Sequence, residues 1–178
     1  MALNRTLILD TALDLLGKYG LADVTMRRVA SALDVAPGAL YWHLSNKQEL
    51  IAAMARSILT PVLDPESGRE ETPAVGDLLR SFRSAVLAHR DGADVVSAAL
   101  STPPLQAEML ERISAAVAAE GVDPSAALVL LHFGIGAAVS EQAARQLADD
   151  AGGEPVDEKA AAEAFDRGVA TILAGAAR

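Results

Sequence analysis

The sequence predicts an all-α fold: an N-terminal helix-turn-helix domain of three helices, then a larger α-helical body. Three observations carry that prediction. The composition is rich in alanine, with only 3% aromatic residues and few strand formers. Apolar residues recur at three- and four-residue spacing along most of the 178 residues, and the runs stop at glycine, proline or aspartate. Residues 25–47 read as two short helices joined by a tight turn, the spacing of a helix-turn-helix.

The elements follow in order. Asn4 caps a first helix with Ile8, Ala12, Leu15, Leu16 and Tyr19 on one face, and Gly20 stops it. Thr25 caps a second, with Val29, Ala30 and Leu33 inward. The chain turns at Asp34-Val35-Ala36, where Asp34 tolerates positive φ. Pro37 opens a third, short helix, since its missing N–H costs nothing there. Leu40 and Leu44 lie four apart and share the inward face, so Gly38, Ala39 and Trp42 fall opposite and Tyr41 and His43 flank them.

Ser45 with Gln48 forms a capping box for a fourth helix, with Leu50, Met54 and Ile58 along it and Pro61 and Pro65 at its end. It connects reader and body. Residues 64–72 read as a loop. Thr72-Pro73 starts a fifth helix, with Val75, Leu78, Leu79, Phe82 and Val86 inward, which stops at His89-Arg90-Asp91-Gly92. A short apolar segment runs from Ala93 to Leu100. Thr102-Pro103-Pro104 starts the next helix, with Leu105, Met109, Ile113 and Ala116 on one face, and Gly121 ends it. Asp123-Pro124 caps the longest helix, to about Leu147. Residues 148–156 read as a loop, and a last helix covers about Glu158 to Ala176. The chain divides into a helix-turn-helix domain over residues 1–47 and a larger helical body over residues 48–178.

Composition narrows the function. There is no cysteine, so there is no disulfide framework, thiolate zinc site or cysteine nucleophile. No stretch reads as long and apolar enough to span a membrane, and Met-Ala-Leu-Asn-Arg lacks a signal-peptide layout, so a cytoplasmic protein is expected. The three histidines, His43, His89 and His132, have no helical metal-pair spacing, so no metal and no cofactor are expected. His89-Arg90-Asp91 reads as a helix end, with the basic groups at exposed carbonyls. The formal charge is −9, but it is divided: residues 1–47 carry +1 and residues 48–178 carry −10. An acidic body turns the other end toward DNA, and so weak a basic footprint needs two reading heads for useful affinity.

The outward Trp42 has no packing reason to exist beside two inward leucines. A smooth tip of Gly38 and Ala39 beside Tyr41, Trp42 and His43 suits entry into a major groove about 12 Å wide. The alternative makes Tyr41 and Trp42 core aromatics; the preceding helix, the turn and the two arginines favour the groove. DNA-binding candidates are therefore Thr25, Arg27, Arg28, Gly38, Ala39, Tyr41, Trp42, His43 and Lys47. Arg27 and Arg28 sit on the helix that crosses the backbone, and Ala39 faces a base. The rival class is a helical enzyme or interaction module without DNA binding, which would need a titratable pocket in a body made mostly of Leu, Val, Ala and Phe.

Val35 to Lys47, with Glu49-Leu50, resembles the DNA-binding signature of the TetR family of one-component bacterial repressors, and Leu40-Tyr41-Trp42-His43 is especially similar to its tetracycline repressor subclass. Asp34 stands where glycine is usual. Residues 1–63 match well. The body matches in islands: Phe82-Arg83, Ala88 to Ala93, His132-Phe133 with Gly136, and Phe165 with Gly168.

The resemblance implies a homodimer on a palindromic operator, with a small-molecule pocket in each body. The last two long helices, with Gly134 and Gly136 allowing close approach, are expected to form a four-helix bundle across the dimer. In that subclass the pocket carries polar residues and a magnesium-ligating histidine. Laid on this chain, the polar positions fall on Leu63, Leu78 and Leu100 and the histidine on Val96, with only Phe82 retained. Aliphatic walls coordinate no cation and leave a polar drug's hydroxyls unpaired, at about 1–3 kcal/mol each. The expected effector is therefore largely apolar and metal-free, walled by Leu63, Leu78, Phe82, Val96 and Leu100, with Met109 and Phe133. Its binding is expected to shift the connector helix over 46–60 and respace the two heads.

Overall fold

A computed structural model describes residues 3–64 and 72–177, and every regular element among them is helical. Helix α1 (Arg5–Tyr19) begins where the Asn4 side chain accepts from the Leu7 N–H at 2.8 Å. It ends at Gly20, whose φ of 82° only glycine adopts cheaply. A 3₁₀ turn (Leu21–Asp23) leads to α2 (Met26–Ala32) and α3 (Pro37–Leu40). Ile8, Leu16, Val29, Leu40 and Leu44 close the small core of this head. Tyr19 is not part of it: at the last residue of α1 its ring turns outward, 48% exposed.

Helix α4 (Lys47–Ile58) packs on α1 at one end and most extensively on α7 along its length, so it belongs to both halves of the chain. The Ser45 and Gln48 capping box sits one residue later than its spacing predicts. Asn46 caps the helix, accepting from the Glu49 N–H at 2.8 Å, and the Glu49 carboxylate accepts from the Ser45 N–H at 2.7 Å. Pro61 opens a further turn, α5 (Thr60–Leu63), rather than simply stopping α4. Of the expected loop over 64–72, residues 65–71 lie outside the described residues.

Helix α6 (Val75–Leu87) has no side-chain cap of its own, contrary to the Thr72-Pro73 expectation. Glu120 supplies one from elsewhere, its carboxylate accepting from the Val75 N–H at 2.8 Å. The apolar segment after the turn is a helix, α7 (Gly92–Leu100), with six buried residues. Helix α8 (Pro103–Ala119) buries Leu105, Met109, Ile113 and Ala116 as its spacing predicts.

Helix α9 (Ala126–Ala151) runs one turn past Leu147, so only the later part of the expected 148–156 loop is irregular, and Gly152 at φ 62° closes it. Helix α9 has 26 residues and an 18-residue stretch of mean hydropathy 1.4, so by length and composition it is apolar enough to cross a membrane, contrary to expectation. It packs against α6, α7, α8 and α10, and its Glu141 holds Arg83 of α6 in a half-sequestered bidentate pair at 2.6 and 2.9 Å. That is the character of a core helix. Helix α10 (Glu158–Ala176) starts at Asp157, which accepts from the Ala160 N–H.

Candidate nucleic-acid interface

The reader is built by local chemistry. The Thr25 hydroxyl caps α2, accepting from the Arg28 N–H at 3.1 Å. After α2 the Asp34 N–H reaches the Ser31 carbonyl at 3.2 Å and the Val35 N–H the Ala30 carbonyl at 3.0 Å. With Asp34 at φ 54° this is a Schellman turn, with aspartate in the position glycine usually holds. Pro37 then fixes the first residue of α3, which packs on α2, and Leu40 and Leu44 are fully buried. The opposite side stands free: Trp42 is 90% exposed and Tyr41 53%.

Gly38 and Ala39 lie at the tip of α3. A Cβ at Gly38 would meet no atom within 4 Å, so no contact inside the chain requires that residue to be small.

The two arginines differ. Arg27 is exposed and forms no ion pair among the described residues. Arg28 is drawn back: its Nη1 lies 2.9 Å from an Asp23 carboxylate oxygen, and its guanidinium stacks 4.4 Å from the centroid of the Tyr19 ring. This is where the outward Tyr19 finds a partner. Lys47 opens α4, and Glu49 behind it is engaged by the Ser45 N–H and by Arg5, which together hold its carboxyl below the usual range.

The proposed ligand walls divide. Leu63, Leu78, Phe82, Val96, Leu100 and Met109 sit on α5, α6, α7 and α8, four elements that pack on one another, and all six are buried. Phe133 does not join them. Its ring turns to α10, with its centroid 5.4 Å from that of Phe165, and Gly168 passes so close beneath that a Cβ there would lie 2.1 Å from its Cζ. Gly134 packs against Phe82 of the same chain, whereas Gly136 faces open space. Two open cavities lie elsewhere. One, of about 590 Å³, runs along the α6–α7 turn and the end of α9, where burial pushes His89 below its ordinary value. The other, of about 380 Å³, lies between α1 and α4.

Sequence reasoning missed Arg112. It projects from α8 on the flank of the Met109–Ile113 stripe, donates from Nη1 to the Leu63 carbonyl at 3.0 Å, and buries an Nε with no hydrogen-bond partner among the described residues. Its position three residues after Met109 was the available signal: a cation at the edge of an apolar face.

The sequence model described as "Bacterial regulatory proteins, tetR family" matches residues 8–54. The tetracycline repressor protein class A from transposon 1721 of Escherichia coli is 30% identical, over 96% of this chain and 89% of its own length. The crystal structure of Mycobacterium smegmatis BioQ superposes with a TM-score of 0.82 at 34% identity, over 99% of this chain and 98% of that one. BioQ bound to its double-stranded DNA operator superposes with a TM-score of 0.79 at 32% identity, over 99% of both chains.

Proposed function

Since the chain belongs to the tetR family of bacterial regulatory proteins and is a DNA-binding transcription regulator, we propose that it is a homodimeric repressor, released from a palindromic operator by a small, largely apolar molecule. Residues 1–47 read the DNA and residues 48–178 bind the effector and the second copy. The reading gives the chain no catalytic role and places it in the cytoplasm with its DNA. The observation that carries it is the free surface of α3 and the turn that follows it: Trp42 in that turn is 90% exposed, four residues after a glycine on α3 that no internal contact demands.

In this reading Trp42, Tyr41, His43, Lys47 and Thr25 meet phosphates or base edges, and Gly38 and Ala39 let the helix close on the groove floor. Arg27 reaches the backbone directly. Arg28 first has to leave Asp23 and Tyr19, or acts from there as a fixed charge.

The dimer is supported by a stripe along α9. Leu128, Val129 and Leu147 are 44%, 53% and 70% exposed, with Gly136 and Ala143 between them. Val129 and Leu147 share a helix face with Gly136 and Ala143 while Leu128 lies about 100° to its side, and exposed apolar groups so placed are what a second copy would cover. The effector reading rests on the six buried apolar side chains between α5 and α8. They offer nothing to a cation, and α7 among them lies directly on the connector α4.

The test is operator retention by Trp42→Ala. DNA selected from a random pool by the wild-type chain should be held at least about 100-fold more weakly by the variant, while its far-ultraviolet circular dichroism stays helical. A side chain so exposed carries little stability, within about 0.5 kcal/mol. Loss of helicity instead would mean that Trp42 supports the fold.

A further inference from the structure

The head touches the body through α4, and also through the α6–α7 turn, where one carboxylate is central. Asp91, in the turn between α6 and α7, is held at φ 53°. Its Oδ2 accepts from the Leu21 N–H of the head at 2.7 Å. Its Oδ1 accepts from Gln146 Nε2 of α9 at 2.6 Å. One turn earlier on α9, Gln142 is buried to 7% exposure, the one buried polar residue among those described. Its Oε1 accepts from the Ala93 N–H at 2.8 Å and its Nε2 donates to Asp94 at 2.8 Å. Two glutamines four apart share a helix face, and here they grip the α6–α7 turn on both sides of Asp91.

The head is pressed against this turn. A Cβ at Gly20 would lie 2.7 Å from Asp91 Oδ2, and Arg90 Nη1 donates to the Lys18 carbonyl at the end of α1 at 3.3 Å. The carboxylate is thus bound from two directions by different parts of the molecule. A charge-assisted hydrogen bond is short and directional, so the position of Gln146 fixes the direction in which Asp91 can receive Leu21.

We propose that Gln142 and Gln146 are positioning residues that set the angle of the DNA-reading head through Asp91, making α9 a second lever on the head beside α4. This rests on the DNA-reading function above. It goes beyond it in one respect: a displacement of α9 reaches the head without passing through the connector helix. Gln142 anchors the turn and Gln146 aims the carboxylate.

The chemistry separates this from a merely structural role. Asp91 and Gln146 line the open cavity of about 590 Å³ at the end of α9. If Gln146 is removed, water can take its place on Oδ1, so little stability is lost. What is lost is direction.

The experiment is amide hydrogen exchange on the full chain, read at the Leu21 N–H, for wild type, Gln146→Met and Gln146→Lys. Methionine keeps the length and removes the donor; lysine keeps a donor. Gln146→Met should exchange at Leu21 at least about 10-fold faster, with the amides of Leu130 and Leu131 in α9 unchanged and the melting temperature within about 2 °C of wild type. Its affinity for DNA selected by the wild-type chain should fall about 10-fold. Gln146→Lys should keep both Leu21 protection and affinity. Unchanged Leu21 exchange in Gln146→Met overturns the proposal, as does faster exchange spread through the whole chain. Looser Leu21 with unchanged affinity also overturns it, because the contact then holds no reading geometry. If the wild-type chain selects no DNA at all, the DNA-reading function itself fails, and the Leu21 result separates that failure from absence of the contact.

Discussion

Asp34 holds a left-handed conformation that glycine adopts without penalty, and it does so at the turn of the reader. Its side chain accepts no hydrogen bond among the described residues that would offset the strain. Asp34→Gly should therefore stabilise the chain by about 0.5–1 kcal/mol, the left-handed penalty less the greater unfolded freedom of glycine. Thermal unfolding checks it, and a lower melting temperature would show that Asp34 earns its place by an interaction of its own. The aspartate was legible as a turn residue because few side chains tolerate that φ. The fate of Arg28 was not. Its partners Asp23 and Tyr19 follow from how α1 and α2 cross, and nothing in the spacing of the letters encodes that crossing.

Among the elements, those bounded by local chemistry were readable and those bounded from a distance were not. Asn4, Thr25, Pro37 and Gly20 act within a few residues, and their helices begin or end where the sequence places them. The start of α4 was ambiguous because Ser45 with Gln48 and Asn46 with Glu49 both satisfy the same spacing. The structure uses the second pair, where a full negative charge rather than an amide meets the free N–H groups. Helix α6 is the opposite case. Its first N–H is satisfied by Glu120, 45 residues away, so no local pattern could announce it. Glu120→Ala should leave the Val75 N–H without that partner and cost about 1 kcal/mol, with faster amide exchange confined to the first turn of α6. Loss confined instead to the end of α8 would mean that Glu120 serves its own helix.

At the scale of the whole molecule, the apolar periodicity of the body was legible but its purpose was not. A buried leucine reads alike whether it faces a neighbour, an effector or a second copy. Phe133 illustrates the difficulty: it belongs to the packing of α9 on α10 rather than to the group around Phe82. Exposure is what distinguishes the stripe on α9, and it supports a sharp test. Gly136 faces open space in the middle of that stripe. Gly136→Glu replaces a poor helix former, so the single chain should gain up to about 1 kcal/mol, while the charge should keep two copies apart. Sedimentation should find a dimer for wild type at micromolar concentration and a monomer for the variant; two dimers would move the interface elsewhere. The effector is tested by operator release with and without EDTA. Apolar compounds should release DNA equally in both, whereas release by magnesium–tetracycline that EDTA abolishes would overturn the metal-free reading.

The exposed Trp42 has an optical consequence. It is the only tryptophan in the chain, and it stands at the tip of the reading head, far along the chain from the helices proposed to hold the effector. Excited at the red edge of indole absorption, beyond that of tyrosine, the protein emits from one place. Its fluorescence is therefore a native beacon for the head alone: it should emit like indole in water when the head is free, and dim or shift when a nucleic acid stacks against it. Events inside the body stay silent unless they reach the tip, so signal transmission through this molecule can be followed without attaching a label.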